Sequence, residues 1–347
     1  MKLGLQLRTD TNPFSIDMDL IHAVEDYGFH SVWVSEAYGH DAITPCAWIL
    51  ARTRRIHCGS AVLQIPARTP TMAAMTAMTL DALSGGRFIL GVGSSSARVT
   101  EGWHGQRYGK PQTRTREYIE IVRAVLKRDA PLVFEGEEYQ IPYQGPGALG
   151  LGRPLKSFLH GNPGLQIYTG TVSPGGLRVA AEVADGVIPL FMDPERYDIF
   201  EPDLAAGFAH AGGGKDRSRF NIAPLVFVAQ DDDLARARMA AKRQLFPYLG
   251  AMGARAGYYA AYARRLGHEA GIERMRALHA EGHLEDAIAA IPDALCDAVS
   301  LLGSADRIRD RLGRWKVAAA KHHVSTMLIG GASRETLRLI ADEMLRD

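Results

Sequence analysis

The feature that most constrains this chain is a repeated unit: a short β-branched run, then a loop, then a stretch with helical spacing. The first unit is Lys2–Arg8, where apolar and polar residues alternate, followed by Asp17–Tyr27, with Leu20, Ile21, Val24 and Tyr27 on one face, Ser15 as a cap and Gly28 as a stop. Ser31–Ser35 pairs in the same way with Thr44–Arg54, Ile56–Ile65 with Thr69–Leu83, and Arg87–Val92 with Thr113–Arg128. Strands that alternate with helices pair in parallel through right-handed crossovers. Four such units fit a barrel or a doubly wound sheet. The pattern resumes at Leu165–Thr169, Gly186–Leu190, Ile222–Val228 and Val324–Ile329. A count of eight strands favours a (β/α)8 TIM barrel with insertions over a six-stranded open sheet.

Two regions break the repeat. Phe134–Ile141 reads as a small hairpin, and Gln144–Gly164 is rich in glycine and proline without a period, so residues 130–164 are expected to form an insertion near the barrel mouth. A helical run rich in alanine and arginine starts at Leu234 and extends through Leu266, which makes residues 234–302 a helical insertion region. Barrels of this kind run to 347 residues as one domain, so residues 1–347 are read as a single domain. A net charge of +1 and the absence of any Lys/Arg tract give no pull toward nucleic acid. Cys46, Cys58 and Cys296 contain no CxxC pair, so neither a disulfide framework nor a cysteine zinc site is expected. The first ten residues read as a strand and not a signal peptide, and no apolar run is long enough to span a bilayer. The expectation is a cytoplasmic protein acting on a small molecule, with no membrane or nucleic-acid partner and no metal.

In a (β/α)8 barrel, function sits in the loops that follow the strands. This rule brings together Arg8 and Asp10 after strand one, Glu36–Asp41 after strand two, Gln64–Thr69 after strand three, Gly93–Ser96 after strand four and Gly170–Gly176 after strand five. The strand-five loop, with Gly170, Thr171, Ser173, Gly175 and Gly176 just before a helix and Pro174 at its start, suits an anion, because free N–H groups and the helix dipole favour negative charge there. The same residues also read as an ordinary helix capped by Ser173. GVGSSS lacks the third glycine of a dinucleotide fingerprint; Gly93 would let a flat ring approach the backbone and Ser94–Ser96 would offer donors, or the run is a plain tight turn. Glu36, Tyr38, His40 and Asp41 are dense enough to supply a general acid or base, unless Asp41 or Thr44 caps the next helix and the others are solvated. Arg68, Arg107, Lys110, Arg114 and Arg116 would form a basic rim for an anionic tail, or a solvated loop and helix start. His22, His30, His57, His322 and His323 fall on helices or strand starts, away from the mouth, and no HExxH or GxSxG is present.

Four stretches carry a resemblance: SVWVSEAYGHDAITPCAWILART (31–53), GSAVLQIPARTPTMAAMTAMTLDALSGGRFILGVG (59–93), EGWHGQRYGKPQTRTREYIEIVRAVL (101–126) and AAEVADGVIPLFMDPE (180–195). They resemble the bacterial-luciferase-like family, and within it the oxidoreductases that use coenzyme F420, a 5-deazaflavin. The resemblance implies a (β/α)8 barrel, usually dimeric, with the cofactor ring held against a strand-three bulge that contains a cis non-prolyl peptide, here Ala61–Val62. It places Ser60, Ala61 and Val62 against the ring, Gly93, Ser94 and Ser95 at its edge, and Gly170–Gly176 at the phosphate. On the oxidoreductase reading, Glu36 would hydrogen-bond the ring or tune the site, and His40 or Tyr38 would move the proton. The sugar-phosphate dehydrogenases of this family carry a histidine and a glutamate where this chain has Ala37 and, near the second position, Arg98, so that acid/base pair is missing; His104 is a further candidate to replace it.

The leading expectation is therefore an F420-dependent oxidoreductase, a homodimer that exchanges a hydride between cofactor carbon C5 and a small organic substrate. FMN-dependent monooxygenase activity on the same scaffold is the alternative, and a cofactor-binding barrel without turnover is a third reading.

Overall fold

The computed structural model describes residues 1–7, 13–251 and 257–345. The expected Arg8 and Asp10 lie outside the described residues. The strands are β1 (Lys2–Gln6), β2 (Ser31–Val34), β3 (His57–Ser60), β4 (Leu63–Gln64), β5 (Phe88–Gly93), a hairpin β6 (Phe134–Glu135) and β7 (Gln140–Ile141), then β8 (Ile167–Gly170), β9 (Gly186–Ile188), β10 (Asn221–Ile222), β11 (Leu225–Gln230), β12 (Ser300–Gly303) and β13 (Thr326–Gly330). The intervening helices are α1 (Met18–Asp26), α2 (Ile43–Arg52), α3 (Pro70–Ser84), α4 (Ala97–Gly102), α5 (Pro111–Lys127), α6 (Pro174–Val183), α7 (Glu201–His210), α8 (Leu234–Phe246), α9 (Tyr258–Arg265), α10 (Glu269–Ala280), α11 (Leu284–Ala289), α12 (Asp293–Val299), α13 (Ala305–Ala320) and α14 (Arg334–Leu345). None of these helices is long and apolar enough to cross a membrane.

The parallel strands run β10-β9-β8-β5-β3-β2-β1-β13-β11. The ring closes where β10 pairs with β9 while β11, three residues on, pairs with β13, and a bridge joins Leu190 to Leu225. This is the expected (β/α)8 barrel. The seventh strand is split because Pro224, between β10 and β11, has no N–H to give to a ladder. Its carbonyl still accepts from Leu328 N at 2.9 Å.

The third strand departs from the expected run Ile56–Ile65: it breaks between β3 and β4, and the Ala61–Val62 peptide there is cis. The region after Leu234 departs further. The helix stops at Phe246, a π turn follows through Ala251, and β12 adds a parallel strand alongside Phe227–Gln230. Four residues gave too little periodicity for β12 to be read as a strand. Asp17, not Ser15, caps α1, accepting from Leu20 N at 2.9 Å.

Two apolar layers hold the barrel. The larger fills the space between strands and helices. The smaller lies inside the barrel and comprises Trp33, Ile89, Tyr168, Ile188, Ala223 and Leu328, with Ala61, Val62 and Leu225 against it. Trp33 fits because its neighbours lack side chains: a Cβ on Gly59 would lie 2.7 Å from the indole Cζ3, and one on Gly4 would lie 2.8 Å from Nε1. The indole N–H donates to Ser31 Oγ at 2.8 Å, so the buried polar atom is satisfied.

At the opposite end of the barrel, His30 and His57 face each other with ring centroids 4.3 Å apart, and Lys2 Nζ lies 3.4 Å from His30 Nε2. Burial, then the Lys2 charge and His57, push the His30 imidazole down from 6.5 to about 3. Below the ordinary histidine value the unfolded chain takes up a proton that the folded chain refuses, so stability falls as pH drops from 6.5 toward 3. His30→Gln is expected to flatten that acid slope of the unfolding free energy, read from urea titrations across this pH range; an unchanged slope contradicts the assignment.

Candidate active site

A cavity of about 380 Å³ opens at the carboxyl ends of the strands. Its floor is built around Val62. A Cβ on Gly93 would lie 2.5 Å from Val62 Cγ2, and one on Gly170 would lie 3.0 Å from Cγ1, so the two glycines leave the space that Val62 occupies. Behind the floor, Ser60 Oγ donates to Gly91 O at 2.7 Å and accepts from Gly91 N at 3.0 Å, which ties the bulge to β5. Ala61 N donates to Val34 O at 2.7 Å, and Ala61 O accepts from Ser35 Oγ at 3.0 Å. Ser60 and Ala61 therefore support the floor from behind, while Val62 lines the cavity.

One side is made by Ser94–Arg98. Ser95 adopts a left-handed backbone (φ 60°), which only a minority of non-glycine residues do, and its hydroxyl donates to Gln64 Oε1 at 2.9 Å. The next side is the start of α6. Ser173 caps that helix, accepting from Gly176 N at 3.2 Å, while Thr171 Oγ1 accepts from Ser173 N at 3.3 Å. A Cβ on Gly176 would lie 2.0 Å from Thr171 Oγ1, so the tight approach needs glycine. Thr171, Ser173 and Gly176 line the cavity; Gly175 faces Gln112 instead. Capping and an open anion-favouring helix start are thus the same structure, because the cap uses only one of the first-turn N–H groups.

The expected basic rim is not free. Arg68 pairs with Glu36 at 3.2 Å, Arg107 with Glu138 at 3.2 Å, Arg114 with Glu138 at 2.6 Å, Arg116 with Glu182 at 2.9 Å, and Lys110 with Glu137. The hairpin supplies much of this neutralisation. Its turn is held on α5 by the Glu117 carboxylate, which accepts from the N–H groups of Glu137, Glu138 and Tyr139. No side chain of residues 130–164 lines the cavity. The cation that does line it is Arg98, and it has no ion-pair partner among the described residues.

Glu36, Tyr38 and His40 do not line the cavity either. The Glu36 carboxylate is 6% exposed; it accepts from Ala42 N at 2.9 Å, Gln64 N at 3.0 Å and Arg68. Tyr38 is exposed near Trp103, and His40 stacks on Phe14 at 4.1 Å, with Nδ1 3.0 Å from Asp41 O and a buried Nε2 that has no partner among the described residues. Asp41 caps α2 through the N–H groups of Ile43 and Thr44. His104 Nε2 lies 3.3 Å from Gln64 Oε1. Because Gln64 Nε2 donates to Ala37 O at 2.6 Å, its oxygen faces Ser95 and His104, and this amide links the second strand loop to the cavity edge.

The remaining wall comes largely from the region 234–302, whose particular lining residues carry no signal in the sequence. Tyr248, Tyr258 and Tyr259 enter from the helical region, and Tyr108 from the loop after β5, its hydroxyl 3.5 Å from that of Tyr258. The barrel rule covers Tyr108, but no sequence signal places a residue distant from the strand ends, such as Tyr259, over the mouth.

The family model described as luciferase-like monooxygenase matches residues 2–322. The chain belongs to this family. A luciferase-like relative, assigned by name as a coenzyme F420-dependent oxidoreductase of Mycobacterium tuberculosis, is 40% identical over 344 residues, 98% of each chain. The 5,10-methylenetetrahydromethanopterin reductase of Archaeoglobus fulgidus is 27% identical over 352 residues, 99% of each chain. Among solved structures, the coenzyme F420-dependent tetrahydromethanopterin reductase of Methanopyrus kandleri has the same fold, with a TM-score of 0.76 at 20% identity, covering 99% of this chain and 98% of that one.

In this luciferase-like chain the Glu36 carboxylate joins the loops that follow the second and third barrel strands. Removing one partner of a buried ion pair leaves the other charge uncompensated. Glu36→Ala is expected to lower the unfolding free energy by about 3 kcal/mol in guanidinium titrations, and a variant as stable as the parent would remove Glu36 from the scaffold.

Proposed function

We propose that the cavity binds coenzyme F420 and that the chain is an F420-dependent oxidoreductase exchanging a hydride with a small organic substrate. The observation that carries this reading is the presence of three features in one cavity: a floor of Val62 seated between Gly93 and Gly170, a hydroxyl-rich helix start at Thr171–Gly176, and Arg98, which has no ion-pair partner among the described residues. A flat ring needs the first, a phosphate the second and an anionic tail the third. When bound, the deazaflavin supplies a ring carbon that gives or takes a hydride. Val62, Gly93 and Gly170 would set the height of the ring, and Ser94 and Ser95 would meet its polar edge. Ser173 and Gly176 would hold the phosphate, with Thr171 orienting Ser173. Glu36 acts through Gln64, whose amide fixes Ser95 and His104; Ser60, Ala61 and Gly175 support the lining residues. The names of the relatives in Mycobacterium tuberculosis and Archaeoglobus fulgidus support an F420 or reductase role over an oxygenase.

A homodimer is part of this reading. It is supported by Trp48 on α2 and by Met72, Met75 and Leu83 on α3, large apolar side chains left exposed on adjacent helices.

Titration of the purified protein with F420, FMN and NADPH, followed by cofactor absorbance and fluorescence, tests the assignment. F420 is expected to bind, and Arg98→Ala to weaken it about tenfold, the scale of one charge-assisted hydrogen bond, with a shallower salt dependence. Tight binding of FMN alone overturns the cofactor, in favour of a flavin monooxygenase.

A further inference from the structure

The cavity lining is of two unlike kinds: Arg98 with the start of α6, and the wall of Tyr248, Tyr258 and Tyr259 supplied by the helical region. Among the described residues that wall has no counter-ion for a charged ligand. The cations on α8 and α9 are each engaged elsewhere: Arg236 with Asp231 at 2.6 Å, Arg238 with Asp297 at 2.5 Å, Lys242 with Asp293 at 2.7 Å, Arg243 with Glu285 at 2.7 Å, Arg264 with Glu273, and Arg265 with Ile199 O. None of them lines the cavity, and neither does any described carboxylate, lysine or histidine.

The tyrosine rings are held by one another and by Phe191. Phe191 meets Tyr248 edge-on at 5.3 Å and Tyr259 at 5.8 Å, and the two tyrosines meet at 5.4 Å. Phe191 itself has a left-handed backbone (φ 60°), a conformation that a bulky residue keeps only where its surroundings fix it. The hydroxyls of Tyr248 and Tyr259 have no hydrogen-bond partner among the described residues. Burial pushes both phenols up, Tyr259 further raised by Tyr248 and Tyr248 by Tyr38, so both remain neutral donors at neutral pH. A fixed aromatic wall with free neutral donors recognises flat apolar surface and one acceptor atom.

We propose that the substrate is an uncharged, planar organic molecule with a carbonyl oxygen, such as an aryl ketone or an enone, stacked on Tyr248 and Tyr259 and hydrogen-bonded by one of their hydroxyls. Sugar phosphates and carboxylates are expected to bind poorly, because no described side chain of this wall compensates a buried unpaired charge. The inference rests on the F420 reading, which assigns the Arg98 lining to the cofactor.

The test uses the full chain loaded with F420 and two probes that differ by one carboxylate, 2-acetylnaphthalene and 6-acetyl-2-naphthoate, with glucose 6-phosphate as a third ligand. F420 binding is established first by fluorescence, and probe affinity is then measured by calorimetry. The neutral ketone is expected to bind at least about tenfold more tightly than the carboxylate, and glucose 6-phosphate not at all. Tyr259→Ala is expected to weaken the ketone about tenfold and Tyr259→Phe about threefold, because the second keeps the ring and loses the donor. Equal or tighter binding of the carboxylate or the sugar phosphate, or no binding of the ketone to the loaded protein, overturns the substrate class and leaves the cofactor reading intact. Absence of F420 binding removes both.

Discussion

The contact on which the site depends is the seating of Val62 between two glycines on top of a filled barrel. Trp33 and Tyr168, 5.7 Å apart, occupy the barrel interior with Ile89, Ile188 and Leu328, and Val62 packs on this plug. The plug denies Val62 any path downward, and Gly93 and Gly170 deny it lateral clashes. Close-packed interiors transmit such constraints because no void exists to absorb them. The level of the cavity floor is therefore set by residues that never touch a ligand. Gly91 shows how tight the support is: a Cβ there would meet Ser60 O at 1.9 Å, so the strand beside the bulge tolerates no side chain.

Electrostatics divide the mouth as sharply as packing does. Surface cations near an active site are usually counted as ligand anchors, yet Arg68, Arg107, Lys110, Arg114 and Arg116 are held by carboxylates. Their fields largely cancel beyond a few ångströms, more so in salt. Arg98 stands in the first turn of α4, where a cation opposes the helix dipole. Among the described residues no carboxylate offsets that placement, which is why the proposed reading gives Arg98 an anionic ligand. Neutralising the rim also has a consequence for orientation: a multiply charged molecule finds one attractive part of the cavity lining, and enters with its tail toward it.

Much of this was legible in the sequence because barrel strands announce themselves. Glycine after β-branched runs, Pro174 at the start of α6 and the run RFILGVG each follow from local backbone chemistry, and the strand-end rule converted them into site positions. Val62, Gly93, Ser94, Ser95, Gly170, Thr171, Ser173 and Gly176 meet in one cavity for that reason. The misses share another cause. Glu36, Tyr38 and His40 are near the mouth, but which way a loop side chain turns is decided by partners distant in sequence, here Arg68 and the N–H groups of Gln64 and Ala42 for Glu36. Pairing of Arg114 with Glu138 depends on a hairpin folding back along α5, which no periodicity encodes. The tyrosine wall depends on tertiary docking of helices whose own pattern is broken by a π turn.

The chain thus separates two tasks along its length. Residues up to α6 build the floor, the hydroxyl edge and the helix start, all from strand-end loops with little freedom. The wall comes from α9, from the π turn Pro247–Ala251 and from Phe191, all of them later in the chain than α6. Hydride transfer needs one ring height and one face, which favours a rigid early half. Choice of the second reactant needs only the surface presented opposite, and that surface can change without moving Val62. A change from cations to phenols at this wall alters which molecules are desolvated without penalty while leaving the ring seat untouched. Under the proposed reading, substrate class is set mainly where Tyr248, Tyr258 and Tyr259 face the cavity, and the ring seat is set by the strand-end glycines and Val62.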